Sequence, residues 1–255
     1  MRSYLVQGTA MKYKARLALA IWVVLATVPV VVSCVSPAQE HLNRGDKYFE
    51  QAQYDEAIAE YTEAIEADPD FVKAYNNRGL AYHNKSEFDK AIADYDEAIG
   101  LEPRHVQPYY NRGNVYSEKG QFQKAIADYD KAIELDPHFA MAYTNRGYVY
   151  IFKWGLDRAI ADFDRAIELN PQLALAYNNR GLAYHNKGEF DKAIADYSRA
   201  IELDPDFAKV YFNRAHTYHI KGGNIAKAIS DLERCMRIST DPELTKAAQQ
   251  LLERL

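Results

Sequence analysis

Only two cysteines occur in the 255 residues, Cys34 and Cys235, too few for a disulfide framework. The first 37 residues hold no acidic side chain but carry Arg2, Lys12, Lys14 and Arg16, a charge of +4. The remainder reverses the balance, with 27 basic and 36 acidic residues and a net charge of −9. An acidic body is a poor match for nucleic acid or for an anionic lipid surface, so no nucleic-acid partner is expected. The chain also lacks a phosphate-binding loop, a nucleophile elbow, a metal-protease helix and a supported pair of catalytic carboxylates. No enzyme activity and no cofactor are expected. His83, His185 and His219 recur at one position of a repeat described below, and the first two are too far apart to share a metal. His216 and His219, three residues apart, are a weak pair, so no metal site is assigned.

No apolar run reaches spanning length either. The longest, residues 17–32, has 16 residues, short of the ~20 that a spanning helix needs. "KYKAR" precedes it and "SC" follows it, the layout of an export signal. Val31-Val32-Ser33-Cys34 resembles a bacterial lipobox. The favoured reading makes residues 1–33 a lipoprotein-type signal peptide, Cys34 the lipidated residue and residues 34–37 a short linker. An uncleaved N-terminal anchor and an ordinary cleaved signal stay open. All three place the body at the cell envelope, on its periplasmic or extracellular face, with the lipid anchor making the membrane a partner.

What the chain does have is a period. "YNNRGLAYHNK" stands at residues 75–85 and again at 177–187, and prolines fall at 69, 103, 137, 171 and 205, each 34 residues after the last. Between Ala74–Pro103 and Ala176–Pro205, 25 of 30 positions are identical. A fixed 34-residue period marks a helix–turn–helix solenoid. Six repeats follow: 38–71, 72–105, 106–139, 140–173, 174–207 and 208–242. In the fifth, Tyr177, Gly181 and Tyr184 share one helix face, and Ala193, Tyr197 and Ala200 share another. Asp204-Pro205 ends the second helix, because proline cannot continue the hydrogen-bond ladder. Such a helical pair cannot bury its apolar face alone; stacking its neighbours does so.

These residues resemble the tetratricopeptide repeat: an aromatic at position 4, Gly or Ala at 8, Tyr at 11, Ala at 20, an aromatic at 24, Ala at 27 and Pro at 32. The resemblance spans residues 38–242 and implies an all-α, right-handed superhelical α-solenoid of six repeats. Departures are local. The first repeat has His41 at position 4, the fourth has Trp154-Gly155 with its turn glycine one place late, and the sixth has Ala215 for Gly, one extra residue and no Pro at the expected place. Residues 241–255 are expected to add a capping helix, with Asp241 as N-cap, Pro242 next and Leu244, Ala247, Ala248, Leu251 and Leu252 as its apolar stripe. The layout resembles that of bacterial envelope lipoproteins carrying such repeats.

Asparagine occupies position 6 of every repeat, as Asn43, Asn77, Asn111, Asn145, Asn179 and Asn213. Asn is a weak helix former, so six placements inside helices need a reason. In the family this face lines the concave surface. Amides spaced by roughly 10 Å, the helix packing distance, would meet every third residue of an extended peptide rising about 3.3 Å per residue. An amide both donates and accepts, which suits a main chain, and some members of the family hold peptides by such a ladder. The competing reading has each Asn bonded to a neighbouring helix and setting the superhelical pitch. Tyr110, Tyr148 and Phe152 are expected to give the groove an aromatic centre, or to pack against the adjoining helix. Arg follows at position 7 in all six repeats, with an acid four residues before position 27, and reads as an inter-helix ion pair. Cys235 reads as a buried small residue. The expected function is a non-catalytic interaction scaffold that binds an extended segment or helix of another protein in the concave groove. A self-associating assembly protein, and less favourably an accessory subunit of an enzyme, are the alternatives.

Overall fold

The computed structural model describes residues 35–153 and 155–255; the candidate signal segment 1–33, Cys34 and Trp154 of the fourth repeat lie outside the described residues. The body from Pro37 to Leu255 is one unit. Among the described residues it contains thirteen α-helices: α1 (Pro37–Glu50), α2 (Tyr54–Ala67), α3 (Val72–Asn84), α4 (Phe88–Leu101), α5 (Val106–Glu118), α6 (Phe122–Leu135), α7 (Ala140–Phe152), α8 (Leu156–Leu169), α9 (Ala174–Asn186), α10 (Phe190–Leu203), α11 (Ala208–Lys221), α12 (Ile225–Ile238) and α13 (Pro242–Leu252). Each helix packs against the next in sequence, and the first helices of adjacent repeats also touch. The result is an all-α, right-handed solenoid of six helix–turn–helix units closed by a capping helix. No helix of the described residues is long and apolar enough to cross a membrane.

Local chemistry sets the boundaries. Helices α2, α4, α6, α8 and α10 end at Asp68, Glu102, Asp136, Asn170 and Asp204, all with φ between −134° and −146°. Each of these residues precedes a proline, whose ring drives the preceding residue out of the helical region. Asp68, Asp136, Asn170 and Asp204 then fold their side chains back onto the backbone N–H two residues on, an Asx turn that aims the chain into the next repeat. In the first, second, third, fifth and sixth repeats the turn passes through left-handed backbone at the fifteenth residue. Gly120, Gly188 and Gly222 adopt it at no steric cost, whereas Ala52 and Ser86 adopt it with φ of 56° and 60°.

Between the helices the second helix of each repeat contributes one ring. Tyr61, Tyr95, Tyr129, Phe163 and Tyr197 are all essentially inaccessible, as are the alanines one turn to either side of them. The sixth unit has Leu232 in that place and Cys235 as its buried small residue, whose thiol pKa burial pushes up. At the C-terminal end, Asp241 accepts a hydrogen bond from the Glu243 N–H, with Pro242 opening α13. Ala248 and Leu251 of α13 are buried, and Leu244 and Leu252 pack beside them on the cluster built from Tyr211, Leu232 and Cys235. The stripe therefore covers apolar surface that a seventh repeat would otherwise cover.

Candidate functional site: the concave trough

The first helices of the repeats carry Asn at their sixth residue, and the structure gives these amides two tasks. Asn77 donates from Nδ2 to Asp46 Oδ1 of the preceding repeat at 2.9 Å. Asn111 donates to Asn76 Oδ1 at 2.9 Å, and Asn213 to Asn178 Oδ1 at the same distance. Asn145 reaches both Asn114 Oδ1 (2.8 Å) and the Tyr110 hydroxyl (3.0 Å). Within repeats two and five, the paired asparagines relay the bond onward: Asn76 donates to Asn77 Oδ1, and Asn178 to Asn179 Oδ1. In the first half of the solenoid a continuous relay therefore runs Asn111–Asn76–Asn77–Asp46 and ends on a carboxylate. Its two inter-repeat donors, Asn111 and Asn77, each donate to the repeat before their own. Asn43 opens the column, exposed, and accepts from Gln39 one turn back.

These inter-repeat bonds leave an open trough. A cleft of about 230 Å³ is lined by Asp46, Phe49, Glu50, Tyr61, Asn77 and Leu80. A second, of about 680 Å³, runs between α3 and α5 and includes Asn76, Asn77, Leu80 and Asn111. A third, of about 300 Å³, holds His83, Asn114, Glu118, Tyr129, Asn145 and Tyr148. Asn77, Asn111 and Asn145 thus bridge repeats and line clefts at once. Asn179 is buried, and Asn213 is half-buried beside Asn178.

The three aromatic candidates separate. Tyr110 packs between repeats, 4.8 Å from the Phe139 ring and 6.1 Å from Tyr129, and burial raises its hydroxyl pKa. Tyr148 lines the third cleft. Phe152 stands at the lip, 52% exposed, edge-on to Tyr148 at 5.1 Å and stacked on Phe122 at 5.6 Å. Tyr148 and Phe152 therefore present aromatic surface, while Tyr110 supports the wall.

Arginine at the seventh residue is structural. Arg78, Arg112, Arg146, Arg180 and Arg214 each grip an aspartate of their own second helix through Nε and Nη2; for Arg78 and Asp94 the distances are 2.9 and 2.7 Å. Arg112, Arg146 and Arg180 extend Nη1 to Asp96, Asp130 and Asp164 of the preceding repeat, and Arg78 and Arg214 reach Thr62 and Ser198 instead. Burial works to lower the Arg78 pKa, but hydrogen bonds and charge from Asp94 outweigh it and raise it. Burial pushes the Asp94 carboxyl up, with Arg78 acting against that shift. The guanidinium also lies over the ring at position 4, 5.6 Å from the Tyr75 centroid for Arg78. An anion-binding ladder is thereby ruled out for these five, whose donors are engaged with the protein's own side chains.

Sequence reasoning missed the acceptors. Asn114 and Asn178 do not stand out in a repeat consensus, and neither do Asp96, Asp130 and Asp164. Their only sequence signal is a spacing of 31 or 35 residues to a position-6 Asn, or of 16 to an Arg. Lys85, Lys119, Lys187 and Lys221 stand directly before their turn residues, and nothing in that placement points to their pairing with Asp55, Asp89, Asp157 and Asp191 of the preceding repeat, 30 residues back. Among the described residues no group of three or more His, Cys, Asp or Glu side chains could hold a metal.

Comparison with known proteins agrees with this geometry. Family profiles described as tetratricopeptide repeat match residues 72–105, 106–139, 174–207 and 197–230, and one described as TPR repeat matches 45–86 and 156–188. A search of curated proteins finds no match to this chain. Among solved structures, MamA is 30% identical over 65% of this chain and 96% of its own, with a TM-score of 0.57. YrrB, described as a TPR protein with an unusual peptide-binding site, is 27% identical over 74% and 97%, with a TM-score of 0.55. A chain of the APC/C hetero-tetramer Cut9–Hcn1 is 24% identical and superimposes over 94% of this chain with a TM-score of 0.75, though this chain spans only 45% of its length. Repeat period, helix register and family profile converge, and the chain belongs to the tetratricopeptide-repeat family, as a non-catalytic protein–protein interaction module.

Proposed function

We propose that the concave trough binds an extended segment or helix of another protein, and that the molecule works as a scaffold tethered at the cell envelope through a lipidated Cys34. The observation that carries the reading is the double placement of Asn77, Asn111 and Asn145, which hold adjacent repeats together while facing open clefts. An amide already fixed by one bond presents its remaining capacity in a set direction, so little side-chain freedom is lost when a main chain docks. The peptide-binding site named for YrrB supports the same use of the fold. The envelope assignment rests on the basic and apolar N-terminal sequence before Cys34.

The test is capture of partner protein from native membranes by the full chain and by a variant with Asn77, Asn111 and Asn145 changed to Ala. Capture should fall at a temperature where both proteins keep full helical content. Unchanged capture would show that the ladder serves stacking alone. For the tether, mass analysis of membrane-extracted protein should find acyl chains on Cys34, and Cys34→Ser should release or mis-sort the protein.

A further inference from the structure

The trough is not electrically neutral. Asp46, Glu50, Asp70 and Glu102 line the first two clefts, and Lys73 is the one ammonium among the described residues that line them. Lys73 comes no nearer to a carboxylate than 3.9 Å, at Asp46 Oδ2. Elsewhere some acids are neutralised closely, by the arginine grips and by the lysine pairs across repeats, while others, such as Glu56, Glu63 and Glu66, stand on outer helix surfaces without an ion pair within the described residues. Glu50, Asp70 and Glu102 take part in no ion pair within the described residues. Apolar surface lies beside these carboxylates, from Phe49 and Leu80 in the first cleft and Phe71, Val72 and Leu80 in the second.

The tyrosine rings of repeats one and two differ in their surroundings. The Tyr95 ring lies along Gly79 as the Tyr61 ring lies along Gly45. The Tyr61 hydroxyl donates to Asp46 at 2.9 Å, but Leu80 occupies the equivalent place beside Tyr95. The Tyr95 hydroxyl, fully buried, has no partner. Tyr95 lines neither cleft, so this spare capacity stays inside the wall and the carboxylates set the polarity of the trough.

We infer that the trough of repeats one to three receives a cationic segment of the partner, one in which Lys or Arg side chains alternate with aliphatic or aromatic ones. The inference rests on the groove reading above and adds the partner's chemistry to it. The alkyl stem of a lysine or arginine lies on Phe49 or Leu80 while its head meets Asp46 and Glu50, a division that suits amphipathic cationic side chains. Charge of one sign in a concave surface also raises the encounter rate with the opposite charge and rejects acidic competitors. This is the reverse of a groove built to capture a terminal carboxylate, which needs several cations where this one offers Lys73.

The experiment uses the full chain in a neutral detergent and two fluorescent peptides of about ten residues, enough to cross three repeats at ~3.3 Å per residue. One peptide alternates Lys with Leu, the other Glu with Leu, and binding is read by anisotropy. The Lys peptide should bind about tenfold more tightly than the Glu peptide, and added salt should erase the difference. Combining Glu50→Gln, Asp70→Asn and Glu102→Gln, all at solvent-accessible positions, should remove the preference without moving the melting temperature. No binding of the Lys peptide, equal binding of both peptides, or a preference that survives the three substitutions overturns the assignment. The groove reading is scored separately with Asn77→Ala and Asn111→Ala. If these weaken both peptides alike while the two bind equally, the trough is the dock and its charge is irrelevant. If the carboxylate substitutions abolish the preference and the Asn substitutions change nothing, the cationic partner stands and the amide ladder is structural.

Discussion

Gly181 lies directly against the ring of Tyr197: a Cβ added to the glycine would come within 2.7 Å of the tyrosine Cε1. The same contact recurs at Gly45 with Tyr61, Gly79 with Tyr95, Gly113 with Tyr129 and Gly147 with Phe163. In the sixth repeat both members change together. Ala215 replaces the glycine and Leu232 replaces the ring, so a methyl group is added where aromatic volume is lost. The two departures from the repeat pattern are one event in packing.

Gly181→Ala should therefore destabilise the protein by about 1–3 kcal/mol, the range for overpacking a tight core. That loss outweighs the roughly 1 kcal/mol by which Ala is the better helix former. Adding Tyr197→Leu should recover part of the loss, making the double variant more stable than the sum of the singles. Chemical denaturation of the four proteins measures the coupling, and strict additivity would refute it.

Two tyrosines at equivalent places should answer differently to losing their hydroxyl. Tyr129 donates to Asn114 Oδ1 at 2.8 Å, whereas the Tyr95 hydroxyl has no partner. Tyr129→Phe should cost about 1 kcal/mol, the net worth of a hydrogen bond. Tyr95→Phe should be neutral or stabilising, because it removes a buried polar atom left unsatisfied. Equal melting shifts for both variants would contradict this.

The turns offer a gain. Ser86 holds φ of 60°, where a side chain is strained, while Gly120 and Gly188 serve the same turn in other repeats. Ser86→Gly should stabilise by about 1 kcal/mol, the penalty an L-residue incurs in left-handed backbone. The added freedom of glycine in the unfolded chain reduces that gain. Thermal melts at fixed pH give the sign.

Acid should loosen the C-terminal repeats at mild pH. Burial lowers the pKa of His185 below the ordinary 6.5, helped by His216, whose ring lies 5.3 Å away. Burial likewise lowers His216, helped by His219. The folded state thus prefers both rings neutral, and the unfolded chain binds more protons as pH falls below about 6.5. Their contribution is intact above that pH and is lost on acidification toward the folded pKa values. Hydrogen exchange in α9 and α11 should speed up between neutral pH and about pH 5, relative to α3 and α5, after correction for intrinsic exchange. Replacing His216 by Phe should flatten the difference, and equal acceleration in both halves would count against it.

Much of the architecture can be read from one dimension because its determinants are local. The 34-residue spacing of prolines, the Gly and aromatic positions and the Asp-Pro stops each act within a single helix pair, and a pair repeated six times has few ways to stack. The Arg–Asp grip was legible for the same reason, since 16 residues separate its partners inside one repeat. The amide column was legible as a pattern, but its bonding was not. Whether a position-6 Asn meets the fifth or the ninth residue of the repeat before it depends on how far one helical pair rotates and slides against the last. Asn77 meets the ninth, Asn111 the fifth, and Asn145 reaches both. Composition and period settle that there is a wall of amides; the stacking angle, a property of packed surfaces summed over many weak contacts, decides which of them brace the wall and which line the open clefts.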